Sequence, residues 1–358
     1  MKHVALLAGT RPNFMKIAPL QKALVAHGVT VTLIHTGQHY DANMSDVFFQ
    51  ELQIPAPDVH LGVGPGDRVV QTKKIVEGLL PVLREREVSA IVVVGDVTST
   101  AAGAMAGVIA GVPVIHVEAG LRSFNWRMPE ELNRMIADHH SAQLFVTEAS
   151  GLTHLKSEHI PDERVHFVGN VMIDCLRSVE PLSDRSTVLA ELGLSPKRYG
   201  VVTLHRPENV DDPIVLSQLW SALCQVSERL PLVFPVHPRT KQRFADLQQE
   251  HASAIKLIDP VGYIEMVALM KQATCILTDS GGLQEEATAL GVPCLTMRTE
   301  TERPSTIEIG TNEMVGLDPA RILDGVDRVL KGEWKKGALP PLWDGHAAER
   351  IADMIAKL

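Results

Sequence analysis

Short runs rich in β-branched residues alternate with longer amphipathic stretches along the whole chain, the signature of parallel sheets covered by helices. The first series of expected strands is His3 to Ala8, Val29 to His35, Ile91 to Val94, Val112 to Val117, Leu144 to Thr147 and Val165 to Val168. Helices are expected near 13–27, 45–52, 68–87 and 100–110. A second series follows: Tyr199 to Leu204, Leu232 to Val236, Ile255 to Ile258, Cys275 to Thr278 and Pro293 to Met297. With 358 residues the chain is too long for one ordinary core. It is expected to form two Rossmann-like, doubly wound α/β domains, 1–178 and 179–344, facing one another across a cleft. The stretch Glu180 to Pro196, with its Pro, Ser, Asp and Arg, reads as a connecting region. A last helix, 345–358, follows Pro340-Pro341 and is expected to pack back on the first domain.

In such sheets ligands sit outside the carboxyl ends of the strands, and here those ends are consistently polar. In the first half they are Gly9-Thr10-Arg11-Pro12, Gly95-Asp96 and His116-Val117-Glu118. In the second they are His205-Arg206, His237-Pro238-Arg239, Asp279-Ser280-Gly281-Gly282 and Arg298. A lone strand-end Asp is more often a helix cap than a catalyst, and Asp96 before Thr98 fits that reading too; so many strand ends behaving alike does not. Asp96, Glu118 and one of Glu130 and Glu131 are the candidate acids and bases. Arg11, His205, Arg206 and Arg303 are candidate anion clamps, whereas Arg122 and Arg127 read as surface ion pairs.

The stretch Cys275 to Gly291 has the geometry of an anion site. An apolar strand breaks at Ser280, Gly281 and Gly282, where the absence of Cβ lets backbone N–H groups approach a bulky ligand at the positive end of a helix. Of the two acids just beyond, Glu285 reads as complementing the helix dipole and Glu286 as the partner of a ribose diol.

Other chemistries lose support from the residues present. The net charge of −9 with no basic stripe argues against nucleic acid as a partner. No apolar run is long enough to span a bilayer, and Met1 leads straight into a strand, so a cytoplasmic protein without a signal peptide is expected. Cys175, Cys224, Cys275 and Cys294 are scattered singly, without zinc or disulfide spacing, and no metal or other cofactor is expected. Gly62-Val63-Gly64-Pro65-Gly66 follows no expected strand and opens no helix by its pattern, so it is not read as a dinucleotide fingerprint.

Taken together the motifs resemble the UDP-N-acetylglucosamine 2-epimerases, hydrolysing and non-hydrolysing, over essentially the whole chain. They are GTRP at Gly9 to Pro12, GD with threonines at Gly95 to Thr100, HVEAGLRS at His116 to Ser123, MPEELNR at Met128 to Arg134, LHRPENV at Leu204 to Val210, PVHPRT at Pro235 to Thr240, DSGGLQEEA at Asp279 to Ala287 and TERP at Thr301 to Pro304. The resemblance implies the two-domain GT-B arrangement, a UDP-sugar substrate, no cofactor and a homodimer. It also implies that Asp96, Glu118 and Glu130 act at the sugar and that His205 works beside the departing diphosphate. Arg11, Ser280, Gly281 and Gly282 would hold phosphates, Arg303 would assist there, Glu286 would take the ribose and Met266 would lie by the uracil. Some relatives bind a second UDP-sugar; Gln38, His39, Arg206 and His237 partly match such a site, which Asp41 and Lys74 would weaken. Asn13-Phe14 departs from the usual residues after GTRP and puts the identity of the sugar in question, with diacetamido uronate sugars as an alternative to N-acetylglucosamine.

The chemistry follows without the name. The C2 proton of a 2-acetamido sugar is not next to a carbonyl carbon, so inversion there goes by loss of UDP from C1 to a glycal and re-addition. Addition of water instead would make the same site a hydrolase. A GT-B glycosyltransferase and a non-catalytic UDP-sugar sensor are the readings from other classes.

Overall fold

The computed structural model describes residues 2–38, 49–236 and 254–358. The chain divides into two compact units, 1–177 with 341–358, and 178–340.

The first unit is built on seven parallel strands: β1 (His3–Ala8), β2 (Thr30–His35), β3 (Val59–His60), β4 (Ala90–Val94), β5 (Val114–Ala119), β6 (Gln143–Val146) and β7 (Val165–Phe167), in the order β3-β2-β1-β4-β5-β6-β7. Strand β4, Ala-Ile-Val-Val-Val, is buried throughout, because helices cover both faces of a parallel sheet and leave no strand face for water. The order reverses between β1 and β4, which opens a crevice at their carboxyl ends. The helix Ala347–Lys357 lies in this unit against Arg11–Ala26. Asp174 caps it, accepting from Ala347 N at 3.2 Å and Ala348 N at 2.6 Å.

The second unit repeats the plan with β8 (Gly200–Thr203), β9 (Leu232–Pro235), β10 (Ile255–Ile258), β11 (Cys275–Thr278), β12 (Cys294–Thr296) and β13 (Asn312–Met314), ordered β10-β9-β8-β11-β12-β13 and all parallel. Its reversal falls between β8 and β11. Leu219, Leu223, Phe234, Leu277 and Leu295 belong to the core on one side of this sheet.

Two expectations change, and two short strands join that the sequence did not mark. The first helix begins at Arg11 rather than Asn13, because Pro12 is suited to a first turn, where its missing N–H costs nothing. The supposed connection at 180–196 is partly helical: Val171–Ser183 runs into it, and Val188–Glu191 adds a turn. Burial of Ile173, Leu176 and Val179 along one helix face outweighs the local composition. Strands β3 and β13, two and three residues long, carry no periodicity of their own and exist through pairing with their neighbours. Among the described residues no helix is long and apolar enough to cross a membrane.

Candidate functional site

In the first unit the turn after β1 is stitched to the turn after β4. Asn13 Oδ1 accepts from Gly9 N and Thr10 N, both at 3.1 Å, while its Nδ2 donates to Val94 O at 3.0 Å. Arg11 opens the helix at this crevice. Gly9 is obligatory, since a Cβ there would lie 2.2 Å from Ser99 Oγ. Gly9→Ala is therefore expected to cost about 1–3 kcal/mol of stability as Ser99 is displaced, read in a thermal melt; an unchanged midpoint would show that the turn can give way.

Asp96, just past β4, is not a helix cap: Val97 stands at the N-cap of Thr98–Ala110. The Asp96 carboxylate instead accepts from Arg134 NH2 at 2.6 Å, and its backbone carbonyl from Asn133 Nδ2 at 2.9 Å. Both donors lie on the helix Pro129–His140, whose first turn carries Glu130 and Glu131. The choice between those acids is now physical. Buried Glu131 accepts from Ser123 N, Ser123 Oγ and Phe124 N, each at 2.9 Å, and pairs with Arg134 at 2.8 Å, so it holds the loop before the helix. Glu130 is half-buried and has no side-chain partner among the described residues.

Glu118 owes its direction to a β-bulge. The register of β5 against β6 slips between Val117 and Ala119, and Glu118 takes φ +74°, a left-handed conformation that a side chain of this size adopts only under constraint. Buried Lys16, on the helix Arg11–Ala26, meets it with Nζ 2.5 Å from Oε2. Lys16 was missed from sequence, where it is one lysine in an amphipathic helix. Two residues before Glu118, buried His116 has its Nε2 2.8 Å from Gly95 O and its Nδ1 2.7 Å from Asp138 Oδ1. Asp138 also accepts from Gly120 N and from Arg122 NH1. Burial alone would push its carboxyl up, but the bonds and charges of His116 and Arg122 hold it below the usual carboxylate range. Arg122 corrects an expectation: it is no surface ion pair but buried, forked onto Glu158 at 2.7 Å through Nε and NH2.

In the second unit the hub is Asp279, at the end of β11 beside the β8/β11 reversal. Fully buried, it accepts from His205 N, Arg206 N and Asn209 Nδ2 at 2.9–3.2 Å and from His205 Nδ1 at 2.8 Å. Burial opposes its ionisation, yet the His205 ring and these backbone N–H groups hold its carboxyl below the usual range. The His205 ring is 61% exposed, so Asp279 fixes one nitrogen and leaves Nε2 outward. Ser280 caps the helix Gly281–Leu290, whose first-turn N–H groups open at the same reversal. A Cβ on Gly281 would lie 3.0 Å from Glu302 Oε1.

Glu285 does not merely complement the dipole. It is buried and pairs with Arg303 Nε at 2.6 Å, which anchors Arg303 to the helix Gly281–Leu290. Buried Glu286 accepts from Tyr263 Oη at 2.6 Å. Tyr263 begins the helix Tyr263–Gln272, on which Met266 is half-buried one turn further on. Of the four residues assigned to a second site, His39 and His237 lie outside the described residues. Gln38 is buried with Oε1 accepting from Ser99 N and Ser99 Oγ, and Arg206 leans toward Glu302 at 3.5 Å.

The family model for UDP-N-acetylglucosamine 2-epimerase matches residues 22–356. The UDP-N-acetylglucosamine 2-epimerase of Methanococcus maripaludis is 37% identical, with 99% of this chain and 98% of that protein covered. The UDP-2,3-diacetamido-2,3-dideoxy-D-glucuronate 2-epimerase of Pseudomonas aeruginosa is also 37% identical, with 99% of each covered. The crystal structure of the Methanocaldococcus jannaschii UDP-GlcNAc 2-epimerase with UDP-GlcNAc and UDP superposes with a TM-score of 0.92 over the whole of both chains at 37% identity. That of the Neisseria meningitidis UDP-GlcNAc 2-epimerase bound to UDP-GlcNAc gives 0.91 at 29%, again over the whole of both chains. The two Rossmann-like units are thus the GT-B-like pair of these enzymes, and the chain belongs to the UDP-N-acetylglucosamine 2-epimerase family.

Proposed function

We propose that the protein inverts C2 of a UDP-2-acetamido sugar, taking UDP-GlcNAc to UDP-ManNAc by elimination of UDP and re-addition. The observation that carries this is the set of three carboxylates in the first unit, two at strand ends and one at the head of a helix. Asp96 is steered by Arg134, Glu118 is turned by its bulge onto Lys16, and Glu130 stands at the head of the helix that steers Asp96. Inversion needs an acid/base group on each face of the ring, and this set supplies more than one.

One carboxylate takes the C2 proton as the C1–O bond breaks, the electron pair leaving with UDP and the C1–C2 double bond forming. UDP then returns to C1 while another carboxylate delivers a proton to the opposite face of C2. The departing diphosphate gains charge, which the N–H groups at Ser280, Gly281 and Gly282 and the cations Arg11 and Arg303 stabilise. His205, oriented by Asp279, presents Nε2 to the diphosphate oxygen that leaves and re-attacks. Glu286, held by Tyr263, takes the ribose hydroxyls, and Met266 lies against the uracil. Glu286→Ala is then expected to weaken UDP binding roughly tenfold, the worth of one charge-assisted contact, with turnover of bound substrate kept; unchanged UDP affinity in calorimetry would return Glu286 to a purely structural part.

Proton NMR of the protein with UDP-GlcNAc in heavy water tests the whole reading. UDP-ManNAc deuterated at C2 is the expected product. Free ManNAc with UDP would make the enzyme a hydrolase. No exchange at C2 with UDP-GlcNAc, but exchange with a UDP-diacetamido uronate, would move the substrate to the Pseudomonas type, consistent with Asn13-Phe14.

A further inference from the structure

The three carboxylates are carried by three separate pieces of chain: the turn after β4, the bulge in β5 and the helix Pro129–His140. Asp96 is tied to the helix through Arg134, and Glu118 meets Lys16. His116 and Asp138 link all three pieces. His116, wholly buried on β5, sets one ring nitrogen against Gly95 O next to Asp96 and the other against Asp138 Oδ1 on the helix. Asp138 also reaches the residue just past β5, accepting from Gly120 N at 3.2 and 3.3 Å. The bulged residue therefore sits between two anchor points of one buried pair, His116 before it and Gly120 after it. One turn nearer the start of the helix, Asn133 and Arg134 reach the Asp96 carbonyl and carboxylate. Gly120 is itself pinned, since a Cβ there would lie 2.7 Å from Gly151 O.

We propose that His116 and Asp138 are positioning residues for the epimerisation, holding Asp96, Glu118 and Glu130 in one register by tying the turn after β4 and both sides of the bulge to the helix that bears Glu130. Neither touches substrate. Their effect passes through Gly95 O, Gly120 N and the helix, and a misalignment of about 1 Å at the reacting centre is enough to cost two orders of magnitude in rate. The inference rests on the acid/base roles proposed above.

The test uses the full-length protein carrying His116→Asn, Asp138→Asn or Asn133→Ala, with turnover, KM and UDP affinity measured for each alongside the thermal midpoint. His116→Asn and Asp138→Asn are expected to lower kcat about a hundredfold with KM and UDP affinity changed less than threefold, because most of the residues proposed above to hold UDP, Ser280 to Gly282, Glu286, Met266 and Arg303, lie in the second unit. Asn133→Ala removes a half-buried amide that completes the same framework, so it should fold as wild type and lose about tenfold in kcat alone. Combined with Asp96→Asn, each should lose less than the product of the single effects, since both act on one alignment. Wild-type kcat in folded Asp138→Asn or in Asn133→Ala overturns the proposal, as does a loss shared equally by kcat and UDP affinity. A wild-type protein that exchanges no C2 proton in any UDP-2-acetamido sugar would instead sink the reading on which it rests.

Discussion

Asp96→Asn, Glu118→Gln and Glu130→Gln are each expected to lower turnover about a hundredfold or more, as for positioned acid/base groups, with UDP affinity nearly kept. The three should separate in stability, which distinguishes chemistry from scaffolding. Glu118→Gln strands the buried Lys16 ammonium 2.5 Å from a neutral amide. Breaking such a pair costs about 3–5 kcal/mol when one partner is removed, so its thermal midpoint should fall furthest. Asp96→Asn leaves Arg134 its second carboxylate, Glu131, and should lose less. Glu130→Gln touches no partner among the described residues and should melt as wild type. Kinetics in heavy water with calorimetric UDP titration check all three. UDP affinity that collapsed while bound substrate still turned over would reverse the roles assigned to the two sets of residues.

Asp279→Ala should be the most damaging substitution in the second unit. It removes the acceptor from four donor groups at once: two backbone N–H groups, the Asn209 amide and the His205 ring. Donors left buried without partners cost about 1–3 kcal/mol each. The exposed His205 ring can turn to water, so a loss of several kcal/mol is expected rather than the full sum. Folded protein should also lose turnover, because His205 no longer has a fixed tautomer. Asp279→Asn separates the two effects: the shape remains, the charge goes, and activity should fall further than stability. The pH dependence follows from the direction of the shift. The folded-state carboxyl lies below its ordinary value of about 3.9, so its stabilisation is complete above that value and disappears as pH falls through the lower folded value. Asp279→Asn should therefore be less stable than wild type near neutrality and converge on it at low pH, flattening the acid limb of the stability-against-pH curve. An acid limb identical to wild type would show that Asp279 is not the group that titrates there.

How far the chain could be read without coordinates depended on the range of the interaction concerned. The alternation of β-branched runs and amphipathic stretches is local, and it sufficed for two parallel, doubly wound sheets. The glycine turn at Ser280 to Gly282 and the polar strand ends were also legible, because glycine and charge at a strand end have few local uses. The end of β4 marked Asp96, but only the fold shows Arg134, 38 residues away, turning it from a helix cap into a steered carboxylate. Glu130 and Glu131 are neighbours with the same chemistry; burial and four donors reserve Glu131 for the loop. Arg122 read as a surface ion pair and Glu285 as a complement to the helix dipole because their partners, Glu158 and Arg303, are distant in sequence. Residue type and spacing thus determined the class of fold and where along the chain its ligand-facing groups stand. Which of two like charges faces the substrate, and which is consumed in holding the other, was decided only by tertiary structure, since ion pairing and desolvation depend on distance in space and not along the chain.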